Sequence, residues 1–347
     1  MRRRNVVIIA ILIAAAAITT AMLLLRHGRA PQAARLLPAA DAYFYVDLVP
    51  LRTAGVFKES PVEFDADYAQ FVRDSGFQFE RDLDEAAFAV HFASQAARVT
   101  RTPAETRYSE VFVGRFDDAK LADYLRKTAS SNTPYRDAII YSIPLPGRTV
   151  RVAILDKATV AASNADSDLP IRQIIDNSNK TFDRRAPELV RRYYKNVPLA
   201  TIAWAIARTA PAGAAGNTRY VLPGGFDLFF PPETVIVGAL RYVGSVELVL
   251  SAFTRNTEDA QRVSDQFNAF LTVARAVETR ATSGDPDLKT FFESISVGQY
   301  PDHAELKATI PQGFVKKIMT EPPIESIAQP APEKKAAPRG RRAKTKK

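Results

Sequence analysis

Residues Val6 to Leu25 form the stretch that most constrains this chain: twenty residues without charge, proline or glycine, interrupted in polarity only by Thr19 and Thr20. At about 1.5 Å rise per residue, a helix of this length spans roughly 30 Å, the hydrocarbon thickness of a bilayer. A cationic head, Met1-Arg2-Arg3-Arg4-Asn5, precedes it. A cleaved leader has an apolar core of roughly 7–15 residues and a small-residue cleavage site. Here the run is longer and passes into Met22-Leu23-Leu24-Leu25 and then Arg26-His27-Gly28-Arg29, a poor cleavage context. The expectation is an uncleaved single-pass signal anchor.

Basic residues flank both ends of the run, so charge alone barely decides orientation. Long domains cross a membrane largely regardless of charge, while a short arginine head is retained. The chain is therefore expected in a bacterial inner membrane, N-terminus cytoplasmic and bulk periplasmic. That places it in the cell envelope.

The net charge of +9 belongs to the ends. Six of the 47 basic residues lie in 1–35 with no acid, and eight lie in 320–347 with three of the 38 acids. The 33 basic and 35 acidic residues left in 36–319 nearly balance, so the folded part is no basic nucleic-acid domain. There is no cysteine, which excludes disulfides, thiolate nucleophiles and cysteine-ligated metals.

The layout reads as a head (1–5), an anchor (6–25), a juxtamembrane link (26–35), two related domains (36–196 and 197–319) and a disordered basic tail (320–347). Each domain opens with an apolar strand bounded by prolines, Ala42–Leu48 and Ala200–Ile206, both read as buried. Two strands follow in each: Ala87–Phe92 with Glu110–Phe116, and Thr234–Tyr242 with Val246–Phe253. A helix with an acidic start comes next, from Asp117 and from Thr257, with Leu121, Tyr124 and Leu125, or Val263, Phe267, Phe270 and Leu271, on one face. More strands follow, Ile139–Ile143, Val150–Leu155 and Thr159–Ala162, then Ser294–Val297 and His303–Ile310. Short helices at Leu169–Ile175 and Pro311–Met319 close the halves. The fold class is α+β: a transmembrane helix, then two related, mostly antiparallel sheet-plus-helix domains.

This layout, with its Leu36-Leu37-Pro38-Ala39-Ala40-Asp41-Ala42-Tyr43 opening, resembles the uncharacterised single-pass, membrane-anchored envelope proteins of bacteria that carry a domain of unknown function. The resemblance implies the anchor and the repeated strand–strand–helix–strand–strand unit, and no activity.

Chemistry-bearing motifs are scarce. His27, His91 and His303 have no metal-ligand spacing, and no Gly-x-Ser-x-Gly, Ser-x-x-Lys, phosphate-loop or dinucleotide motif occurs. Catalytic, metal and cofactor-binding residues are expected to be none. The acidic pairs Asp117/Asp118, Asp166/Asp168, Glu258/Asp259 and Asp285/Asp287 sit at helix starts or turns, where capping accounts for them. They leave a carboxylate-dependent polysaccharide hydrolase as an alternative, since such pairs need meet only in space.

Two contact candidates remain. The tail residues Lys334, Lys335, Arg339, Arg341, Arg342, Lys344, Lys346 and Lys347 form an arm for polyanions, either anionic lipid or a wall polymer. Nucleic acid would be its partner only in the inverted topology. In the Pro- and Gly-rich segment Thr209–Pro232, Tyr220, Phe226, Phe229 and Phe230 either pack as core or offer an apolar contact to an envelope protein or lipid. The first expectation is thus a tethered, non-catalytic binding or scaffolding protein. A lipid-handling protein is the other alternative.

Overall fold

The computed structural model describes residues 29–55, 66–91, 107–179, 186–209, 230–242, 245–281, 286–311 and 313. The Val6–Leu25 run lies outside them. Among the described residues no helix is long and apolar enough to cross a membrane.

Among the described residues twelve strands join in a single sheet, each antiparallel to its neighbours. In chain order they are β1 (Ala42–Asp47), β2 (Leu83–His91), β3 (Arg107–Gly114), β4 (Ser131–Tyr135), β5 (Ala138–Leu145), β6 (Arg148–Asp156), β7 (Thr159–Ser163), β8 (Thr201–Arg208), β9 (Val235–Tyr242), β10 (Val246–Phe253), β11 (Ser296–Gln299) and β12 (His303–Ile310). Their spatial order is β11-β12-β10-β9-β8-β1-β2-β3-β7-β6-β5-β4. The α+β, antiparallel expectation is therefore met.

The two stretches of chain meet at β1 and β8, and the order outward from that seam is the same on both sides. Going one way it is β2, β3, β7, β6; going the other it is β9, β10, β12, β11. The hairpin β4–β5 extends the first side alone. Pro134 lies in β4, the sheet's edge strand, where a residue without an N–H leaves no ladder bond unmade.

The helices are α1 (Gln32–Leu36), α2 (Val49–Thr53), α3 (Ala66–Ser75), α4 (Phe79–Asp82), α5 (Asp118–Thr128), α6 (Leu169–Ser178), α7 (Glu188–Tyr193), α8 (Thr257–Ala281) and α9 (Pro286–Ser294). Asp117 caps α5, its side chain accepting from the Lys120 N–H, and the Asn256 side chain accepts from the Asp259 N–H at the start of α8.

Three details differ from the sequence reading. Residues 32–35, expected as the end of a linker, join Leu36 in α1, whose Ala33, Ala34, Arg35 and Leu36 are buried against the sheet. Asn177 of α6 fixes its end by donating to the Leu36 and Leu37 carbonyls. Pro286-Asp287, expected in a turn, opens α9, because proline's missing N–H costs nothing in a first helical turn. Most of the Pro311–Met319 helix candidate lies outside the described residues.

The core is divided between two sheet faces. On the first, Tyr43, Tyr45, Ala87, Ala89, Val111, Trp204, Ile206, Val237 and Ala239 pack under α1, α6 and α7, joined by Ile171, Ile174, Ile175, Leu189 and Val190. Tyr45 stacks on Trp204 at 5.6 Å between ring centroids, across the β1–β8 seam. On the second face the helices stand apart. Leu121 and Leu125 of α5 cover Tyr141 and Val160, and Phe77, before α4, packs with Leu83 and Ala86. At the far side Val263 and Phe267 of α8 cover Ile236, Ala252 and Ala304.

One close approach requires glycine. A Cβ on Gly114 would lie 2.4 Å from the Asp82 carbonyl oxygen, at the bulge where β2 and β3 shift register between Leu83 and Glu85.

Candidate functional site

Among the described residues, a gap between the helices of the second face leaves the middle of the sheet partly exposed. Cross-strand register puts Phe88, Phe44, Ala205, Gly238 and Leu250 in one row across β2, β1, β8, β9 and β10. Phe44 is 38 % exposed although it lies between Tyr43 at 1 % and Tyr45 at 6 %. β1 and β8, read from sequence as buried strands, are fully covered on one face only. The physical reason is the spacing of the helices, which cannot be read from a strand's own residues.

The floor of this trough is small: Ala203 and Ala205 on β8 and Gly238 on β9. Phe44 and Phe88 rise on one side, Leu240 and Leu250 on the other. From β1 to β10 is three strand spacings, roughly 14 Å. Arg275 reaches from α8 to the carbonyls of Phe292 and Ile295, which lead into the edge strand β11. At about 100° per residue, Phe270 and Val273 lie roughly 140–160° round the helix from Arg275. Both are exposed. At the β3 side of the row stands Glu110, opposite Phe88, whose carboxyl is pushed up from the usual range by burial, with Arg148 opposing the shift.

At one end of the first face, polar groups converge. His91 Nε2 lies 2.9 Å from Ser109 Oγ, which lies 3.0 Å from Ser163 Oγ. Burial holds the imidazole below its ordinary value, with Asp41 opposing the shift. Beside it is a cavity of about 210 Å³ lined by Asp41, Tyr43, Glu188, Leu189 and Arg208. A second cavity, about 410 Å³, lies between α3 and α5, lined by Arg73, Asp74, Lys120, Asp123, Tyr124 and Lys127 among others. Deeper in the first face, burial also raises the Glu85 carboxyl, which lies beside Tyr45.

The sequence-derived candidates fall as follows. The eight tail cations, Lys334, Lys335, Arg339, Arg341, Arg342, Lys344, Lys346 and Lys347, lie outside the described residues, as do Tyr220, Phe226 and Phe229. Phe230 is buried, meeting Phe267 edge-on at 6.0 Å, and packs as core. His27 lies outside the described residues. His303 bonds Asp302 and stacks with Tyr300 and Phe253, a turn anchor.

Of the acids, Asp117 caps α5, while Asp118 and Glu258 lie in first helical turns. Asp166 pairs with Arg107 at 2.8 Å, Asp168 with Arg172 at 2.6 Å and Asp259 with Arg262 at 2.7 Å. Asp287 lies in the first turn of α9, and Asp285 is outside the described residues. Among the described residues no three metal-ligating side chains converge. Sequence reasoning missed Asp41, Glu188 and Arg208, which meet only through the β1–β8 pairing and α7.

No family model matches the chain, and no curated protein matches it. Solved structures similar to it include crystal form I of TP0453, at 11 % identity and a TM-score of 0.43 over 84 % of this chain and 96 % of that one. Crystal form III of TP0453 is similar at 11 % identity and a TM-score of 0.44, over 84 % and 99 %.

Proposed function

We propose that this chain is a non-catalytic binding or scaffolding protein of the bacterial envelope, tethered by Val6–Leu25 with its bulk in the periplasm. Its contact surface is the open trough at the sheet's centre, and its occupant is an apolar-faced helix of an envelope partner. The observation that carries this is Phe44, exposed in mid-sheet between two buried tyrosines. A trough roughly 14 Å across accepts one helix, whose diameter with side chains is about 10–12 Å. The alanine and glycine floor lets a helix approach closely, and no charge stands on it. The occupant would fill the helix layer that α3–α4 and α8 leave incomplete. This is helix-in-groove recognition.

The tether is tested by reporter fusions at Lys347, one reporter active only outside the cytoplasm and one only inside. Activity of the first supports it; activity of the second removes the periplasmic reading. The trough is tested by a photo-crosslinking amino acid in place of Phe44 in the full chain, in native membranes. A defined protein adduct, absent when the same group replaces the exposed Leu145, supports the helix. Adducts to lipid alone favour lipid handling instead. Equal products from both positions remove the trough as a site. The basic tail is assigned to anionic surfaces. Deleting 330–347 should then lower binding to anionic vesicles and leave binding to neutral ones unchanged.

A further inference from the structure

The 210 Å³ cavity has a charge arrangement that the proposed partner contact does not use. Arg208 ends β8 and Glu188 begins α7, and both line this cavity. Elsewhere in the molecule neighbouring opposite charges close on one another, as in Arg52–Asp84 at 2.8 Å and Arg172–Asp168 at 2.6 Å. Glu188 and Arg208 do not, and neither has an ion-pair partner among the described residues. They face one small space as separate poles.

The cationic pole is held by backbone. The Arg208 N–H donates to the Asp41 carbonyl and the Asp41 N–H to the Val90 carbonyl, tying the ends of β8, β1 and β2 together. Tyr43 forms a fixed wall. Its hydroxyl donates to the Pro38 carbonyl and accepts from the Ala40 N–H, and burial pushes its phenol up, so it stays neutral. Asp41 lines the same cavity beside Glu188 and Arg208.

We propose that this cavity binds a small zwitterion, an α-amino acid or a compound of like size, with its carboxylate on Arg208 and its ammonium on Glu188. A guanidinium presents a planar fork that matches a carboxylate with two parallel bonds. At about 210 Å³ the cavity has room for a compound the size of glycine or alanine. This site lies on the face opposite the trough, so it stands or falls independently of the partner contact.

The test is titration of the purified full chain with glycine and L-alanine, alongside acetate and methylammonium as single-charge probes and L-tryptophan as an oversized one. The expected result is saturable binding of glycine or alanine at least tenfold tighter than either single-charge probe. Arg208→Gln and Glu188→Gln should each weaken it at least tenfold, while Arg73→Gln at the other cavity changes nothing. Both substituted residues are exposed, so unchanged thermal unfolding of each variant will show that the fold survives. No binding, equal binding of acetate, tighter binding of tryptophan, or affinity unchanged in Arg208→Gln would overturn the assignment.

Discussion

Two adjacent rows of the same strands behave differently. Val111, Ala87, Tyr45, Trp204 and Ala239 cross five strands on one face, and all are buried. One residue along, Phe88, Phe44, Ala205 and Gly238 cross the middle of the other face, and none is fully buried. Both rows are apolar, so composition does not separate them. What separates them is the helix above. The first row lies under α1, α6 and α7, which fill it with isoleucine, leucine and valine. The second lies between helices. Burial in a sheet is thus set by the neighbouring layer, and an apolar strand is evidence of a face that needs covering.

The largest expected contrast comes from truncation on the closed face. Ile206→Ala removes a fully buried side chain and should lower unfolding free energy by about 2–5 kcal/mol. Chemical denaturation measures it, and a loss below about 1 kcal/mol would mean that this face is looser than described.

Next come two glycine substitutions that separate packed backbone from open floor. Gly114→Ala drives a methyl against the Asp82 carbonyl and should cost about 1–3 kcal/mol. Gly238→Ala meets only Leu250 Cδ1 at 3.6 Å and should be neutral, or stabilising by up to about 1 kcal/mol. Equal losses at both would contradict an open floor.

A smaller effect follows acidification. His91 titrates below its ordinary value in the folded chain because burial disfavours the charged form. Below its unfolded value of 6.5, the unfolded state therefore takes up the proton first. Stability is full above that pH and is lost as pH falls toward the folded value. Urea midpoints across this window should drop for the parent and drop less for His91→Gln; identical slopes would show that the imidazole is not held neutral by the fold. Phe44→Ala should cost about 1–2 kcal/mol, less than Ile206→Ala, since part of the ring is already in water.

Much of the fold was legible in the sequence. Apolar runs gave the β1 and β8 strands, and acidic helix starts with spaced Leu121, Leu125, Val263 and Phe267 gave α5 and α8. The missed elements lack such signals. α1 offers only Ala33, Ala34 and Leu36, short side chains whose burial depends on α6 and the sheet. β4 contains Pro134 and is exposed along most of its length, so only its edge position rationalises it. Neither candidate site could be read from spacing. The trough exists because β1 pairs with β8, while the cavity joins Asp41, Glu188 and Arg208 across three separate elements.

The most direct test exploits the absence of cysteine from the chain. Ala205→Cys and Ala87→Cys each place a single thiol, one on the open row and one on the closed row, on the two strands that flank β1. Reaction of the purified full chain with a water-soluble maleimide should label position 205 rapidly under native conditions and position 87 only after denaturation. Comparable native labelling at both positions, or protection at both, would contradict an open trough at the centre of the sheet.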